Sequence, residues 1–81
     1  MRYILVRWLD ATMEGGWHDK GYACEITGAL ALSIGFVIAE NADWLKLSQT
    51  TSSNEEGNLL EIPKRWILSI AELGEVDVAE T

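Results

Sequence analysis

Residues 32–49 read LSIGFVIAENADWLKLSQ. Leu32, Ile34, Phe36 and Ile38 place a large apolar side chain at every second position, alternating with Ser33, Gly35, Val37 and Ala39. A period of two is that of a β-strand. Gly35 sits mid-run, where a strand gives up packing and propensity unless it needs a sharp bend or a close backbone approach. A small barrel needs both. Residues 40–43, ENAD, supply turn chemistry, because Asn and Asp tolerate left-handed backbone and can hydrogen-bond their own main chain. A second strand starts at Trp44, with Leu45 and Leu47 on one face and Trp44, Lys46, Ser48 and Thr50 on the other. A two-stranded hairpin is marginal alone, so the rest of the chain is expected to pack around it.

Working outward, Tyr3 to Leu9 reads as a first strand in which Ile4, Val6 and Trp8 alternate with Tyr3, Leu5, Arg7 and Leu9. If Arg7 faces water, Tyr3, Leu5 and Leu9 face it too, and they are expected to be covered by another subunit. Residues 13–21, MEGGWHDKG, read as a glycine-rich loop, the kind of segment that carries function. Residues 22–27, YACEIT, are a short strand candidate; a buried helix over 23–38 is the alternative, opposed by its β-branched residues and two glycines. After Gln49 a polar loop over 50–58 leads to a short strand, Leu59 to Ile62, stopped by Pro63. Residues 63–65 are expected to make one tight helical turn, and 66–73 a closing strand, although Ile67, Ile70 and Leu73 at spacing three also permit a short helix.

With 81 residues and a single cysteine, Cys24, the chain is one domain without internal disulfides, near the lower limit for a self-sufficient core. Residues 1–73 are assigned to that domain and 74–81 to an acidic flexible tail. The formal charge is −7, and Glu72, Glu75, Asp77 and Glu80 crowd into the last ten residues without a base. The longest uncharged run, residues 26–39, falls short of the roughly 20 needed to span a bilayer as a helix, so no membrane segment is expected. The lone cysteine and the early interruption by Arg7 and Asp10 point to a cytoplasmic protein without a signal peptide.

Residues 8–11 (WLDA), 33–40 (SIGFVIAE), 47–50 (LSQT) and 62–64 (IPK), with Ile67, Ile70 and Leu73 beyond them, resemble a group of short uncharacterised phage and prophage proteins. The resemblance spans most of residues 3–73. It implies an all-β fold, a five-stranded SH3-like or Sm-like small barrel with a short helical turn before the last strand. Several small phage proteins sequester nucleotide-derived signals of bacterial immune systems. By that analogy the expectation is a non-enzymatic, homo-oligomeric binding protein acting as an anti-defence sponge in the host cytoplasm. An SH3-like adaptor or inhibitor of a host protein is the alternative. An Sm-like RNA binder is disfavoured, because phosphate neutralisation asks for a basic face and the chain has six bases against 13 acids.

The residues themselves offer little catalytic chemistry. His18 and Cys24 would make a base and nucleophile only if the fold joins them, and His18, Asp19 and Cys24 lack zinc-ligand spacing. No cofactor motif is present, since GGWHDKG has neither the spacing nor the following helix of a phosphate loop. Four tryptophans in 81 residues are the distinguishing feature. Trp8 and Trp66 fall in strand patterns and read as core or interface residues; Trp17 lies in the glycine-rich loop and Trp44 just after the turn, Trp17 either plugging a barrel end or stacking on a ligand. The expected ligand site comprises Trp17, His18, Lys20, Trp44, Lys64 and Arg65, with aromatic rings to stack on a base and the cations to meet a phosphate.

Overall fold

The computed structural model describes residues 1–11, 16–23 and 28–77, without the side chain of Tyr22. Five strands, β1 (Arg2–Asp10), β2 (Ala29–Glu40), β3 (Trp44–Thr51), β4 (Glu56–Pro63) and β5 (Ile67–Glu75), join in one antiparallel sheet. Their spatial order is β4-β3-β2-β1-β5. A 3-10 turn, Lys64–Trp66, links β4 to β5, and one helical turn, α1 (Lys20–Ala23), lies between β1 and β2.

The hairpin over residues 32–49 forms as its period requires, but β2 pairs with β3 only from Phe36 to Glu40, with a bulge between Val37 and Ala39. Gly35 explains the start of that contact. A Cβ there would stand 3.0 Å from the Ser48 carbonyl oxygen and 3.1 Å from the Leu47 Cβ, so only glycine admits so close a crossing. Before Gly35, β2 is paired, among the described residues, with β1 alone.

The sheet bends over a small core. Ile4, Val6 and Trp8 of β1 share one buried cluster with Leu45 and Leu47 of β3 and Ile62 of β4; Ala31, Val37, Leu60, Trp66 and Ile67 pack against it. In a flat sheet β1 and β4 would stand roughly 14 Å apart, three strand spacings, too far for their side chains to touch. Bulges opposite Tyr3/Ile4 and Arg7/Trp8 in the β1–β5 ladder add to the curvature. The buried indole of Trp8 is satisfied, its Nε1–H donating to Ser33 Oγ at 3.0 Å. The fully buried Ser48 hydroxyl donates to the Thr50 carbonyl at 2.6 Å, with that of Gly57 at 3.0 Å. The end strands β4 and β5 are not paired with each other, so the sheet is open.

Several expectations are thereby corrected or decided. The helix over 23–38 gives way to strand from Ala29, because the small residues Ala31, Ser33 and Gly35 turn inward at period two. The closing segment is strand from Ile67, with Trp66 ending the 3-10 turn. The polar loop is shorter than 50–58: β3 runs to Thr51 and β4 starts at Glu56, around a turn held by Ser52 Oγ, which accepts from the Glu55 N–H at 3.0 Å. Gly74 and Glu75, assigned to the tail, belong to β5, and Val76 N–H donates to the Met1 carbonyl at 2.9 Å. In the YACEIT strand candidate, Tyr22 and Ala23 end α1 instead, while residues 24–27, Cys24 included, lie outside the described residues.

The outer face carries the larger side chains of β2. Tyr3, Leu5, Arg7 and Leu9 of β1 stand opposite Phe36, Ile34, Leu32 and Leu30. Tyr3 packs edge-on to Phe36, ring centroids 6.0 Å apart, and lies over Gly74, where a Cβ would meet its hydroxyl at 2.5 Å. Tyr3 and Leu5 are half-buried within the chain; Leu9, Leu30, Leu32 and Ile34 are exposed.

Candidate functional site

The turn between β2 and β3 is built by Asn41. Its Oδ1 accepts from the N–H groups of Asp43 and Trp44, each at 2.9 Å, and its own N–H donates to the Trp44 carbonyl at 3.0 Å. This Asx-type turn fixes where the Trp44 ring leaves the sheet. Across the β3–β4 ladder Trp44 is paired with Pro63. The Lys64 N–H donates to the Asp43 carbonyl at 2.8 Å and so ties the 3-10 turn to the hairpin. Two segments distant in sequence, residues 41–44 and 63–66, therefore meet at one end of the sheet.

They enclose an open cleft of about 400 Å³ lined by Ala42, Asp43, Trp44, Pro63 and Arg65. A smaller cleft of about 200 Å³ lies against Trp44 too, lined by Ala39, Glu40, Asn41, Lys46 and Glu61 besides. Trp44 is 44% exposed and forms the wall common to both.

The charges around this ridge divide into paired and unpaired. Lys64 Nζ is 3.0 Å from Glu40 Oε2, Arg2 Nη1 is 3.5 Å from Glu40 Oε1, and Arg2 Nη2 is 2.6 Å from Glu72 Oε1. The hydrogen bond and charge of Lys64, aided by Arg2, hold the Glu40 carboxyl below the usual carboxylate range. The hydrogen bond and charge of Glu72, then Glu40, raise Arg2 above its ordinary value. Lys46 pairs with Glu61 at 3.1 Å. Among the described residues, Arg65 and Asp43 make no ion pair, and both line the larger cleft.

Of the six residues expected at a ligand site, the fold thus brings Trp44 and Arg65 together. Lys64 is beside them in sequence, but its ammonium is engaged by Glu40. Trp17, His18 and Lys20 line neither cleft. Trp17 is fully exposed, so it does not plug the end of the sheet. Sequence reasoning passed over Asp43 and Pro63 as lining residues and Asn41 as the residue that sets the ridge. The signal was present: an Asn two residues before an Asp-Trp pair is a turn that orients the aromatic. Among the described residues no group of three or more His, Cys, Asp or Glu could hold a metal ion, and no helix is long and apolar enough to cross a membrane.

Compared with known proteins, the chain matches no family model, no curated protein and no solved structure.

Proposed function

We propose that this protein is a non-enzymatic interaction module, an SH3-like small barrel left open between its end strands, which binds an extended segment of a partner protein across Trp44. The fold reading is supported by the strand order, the bend at Gly35 and the 3-10 turn between the last two strands. The functional reading is carried by one observation: Trp44 is a half-exposed ridge between two clefts, with the unpaired Asp43 and Arg65 on one side. An extended chain can lay an apolar side chain in each cleft, offer a Lys or Arg to Asp43 and a carbonyl or carboxylate to Arg65. The charge of −7 favours a basic partner and speeds its encounter.

A second reading, sequestration of a nucleotide-derived signal as in an anti-defence protein of phage type, is favoured by Arg65 lying beside an exposed indole. It ranks second because Lys64 is held by Glu40, which leaves a phosphate, among the described residues lining the larger cleft, Arg65 as its cation, with the acidic Asp43 on the same cleft. Panning a random peptide library on the protein tests the first reading. Enriched peptides should carry a basic residue beside an apolar one and lose at least tenfold in affinity on Trp44→Ala. Failure to enrich, or peptides indifferent to Trp44→Ala, would refute it, and binding of cyclic dinucleotides dependent on Arg65 would install the second.

A further inference from the structure

Each exposed strand edge invites pairing with another chain unless something guards it, and natural edges are guarded by charges, prolines, bulges or left-handed residues. The two ends of this sheet are guarded. β4 carries Glu56, Glu61, Pro63 and Asn58, whose φ is 56°. β5 carries two bulges together with Glu72 and Glu75. A third edge has no such protection. Because β2 meets β3 only from Phe36 onward, residues 29–34 have β1 on one side and, among the described residues, no strand on the other. That stretch reads ALALSI, with no charge, no proline and an unbroken register against β1. Leu30, Leu32 and Ile34 point to the outer face at 54, 63 and 59% exposure.

We propose that residues 29–34 are the contact by which two copies of this chain associate, edge to edge and antiparallel about Leu32, so that each sheet continues into the other. The sequence is self-complementary in that register. Leu32 meets its own copy and Leu30 meets Ile34 on the outer face, while Ala31 meets Ser33 on the inner face, where small side chains let the strands approach. No charge enters the contact, so two acidic chains can meet there. Arg7 discriminates this arrangement from stacking of the outer faces. It stands opposite Leu32 in the middle of the apolar face and is exposed, so face-to-face packing would bury a guanidinium against its copy, whereas edge pairing leaves it in water. The contact uses a surface other than the Trp44 cleft and stands or falls separately from it.

Light scattering of the full-length protein at micromolar concentration should give twice the chain mass. Leu32→Lys, which adds the guard the edge lacks, should reduce it to the chain mass with an unchanged circular dichroism spectrum, since this side chain makes no core contact. In a Cys24→Ser background, Leu32→Cys should form an intermolecular disulfide under mild oxidation, because residues facing their own copy across an antiparallel pair lie within disulfide reach. Leu30→Cys, facing Ile34 instead, should cross-link far more slowly. A chain monomeric at every concentration overturns the proposal. So does a dimer that survives Leu32→Lys, or one in which Leu30→Cys cross-links as fast as Leu32→Cys.

Discussion

Gly35 is the residue on which the bend depends, and the cause is a distance rather than a propensity. A methyl group at that position would press on the Ser48 carbonyl and the Leu47 Cβ, neither of which can swing away, one being backbone and the other held in the core. Gly35→Ala should therefore destabilise the protein by about 1 to 3 kcal/mol, read from denaturant midpoints, whereas the same change at Gly16, where nothing lies within 4 Å, should act only through its positive φ of 84°. Asn41 makes a second local prediction. Asn41→Ala removes the acceptor of two backbone N–H groups in an exposed turn and should cost about 1 to 2 kcal/mol, while broadening the indole resonance of the Trp44 it positions. Both roles were legible in the chain as a glycine inside a strand period and an Asn before Asp-Trp. What was not legible is that Lys64 would turn to Glu40 while Arg65 stayed unpaired, because adjacent bases look alike until the 3-10 turn points them apart.

At the scale of elements, the period-two reading located β1, β2 and β3, and Pro63 correctly marked the passage into a tight turn. Periodicity did not reveal which face of β2 is buried. The larger residues Leu32 and Ile34 face out and the smaller Ser33 and Gly35 face in, because a strand pressed against β1 and crossing β3 has room only for small groups on its concave side. Nor did it show that β2 would part from β3 before Gly35, which depends on the register of the hairpin. One consequence is mechanical: an unguarded apolar strand that is not covered by its copy is an aggregation site. Leu32→Lys should accordingly raise the concentration at which the heated protein stays in solution, measured by light scattering after a thermal ramp, while Leu32→Val should leave it unchanged.

For the molecule as a whole, charge is unevenly used. The network Lys64–Glu40–Arg2–Glu72 joins the 3-10 turn, β2, β1 and β5 across the surface, where solvent and salt screen it. Because the Glu40 carboxyl is held below its ordinary range in the folded protein, its contribution is present above the unfolded carboxylate value, near 4.5, and is lost as pH falls through the folded value. Melting temperatures of the wild type and Glu40→Gln should therefore differ near neutral pH and converge in acid, and added salt should narrow the gap. The proposed binding role rests on the opposite kind of charge, Asp43 and Arg65 beside the Trp44 ridge, which make no ion pair among the described residues. The most direct test records the four indole N–H resonances by NMR while a library-selected basic peptide is added. The resonance of Trp44 should move and those of the buried Trp8 and of Trp17, which lines neither cleft, should stay in place, with the response abolished by the double substitution Asp43→Asn and Arg65→Ala. If Trp17 responds and Trp44 does not, the ligand binds at the glycine-rich loop and the account given for the cleft is contradicted.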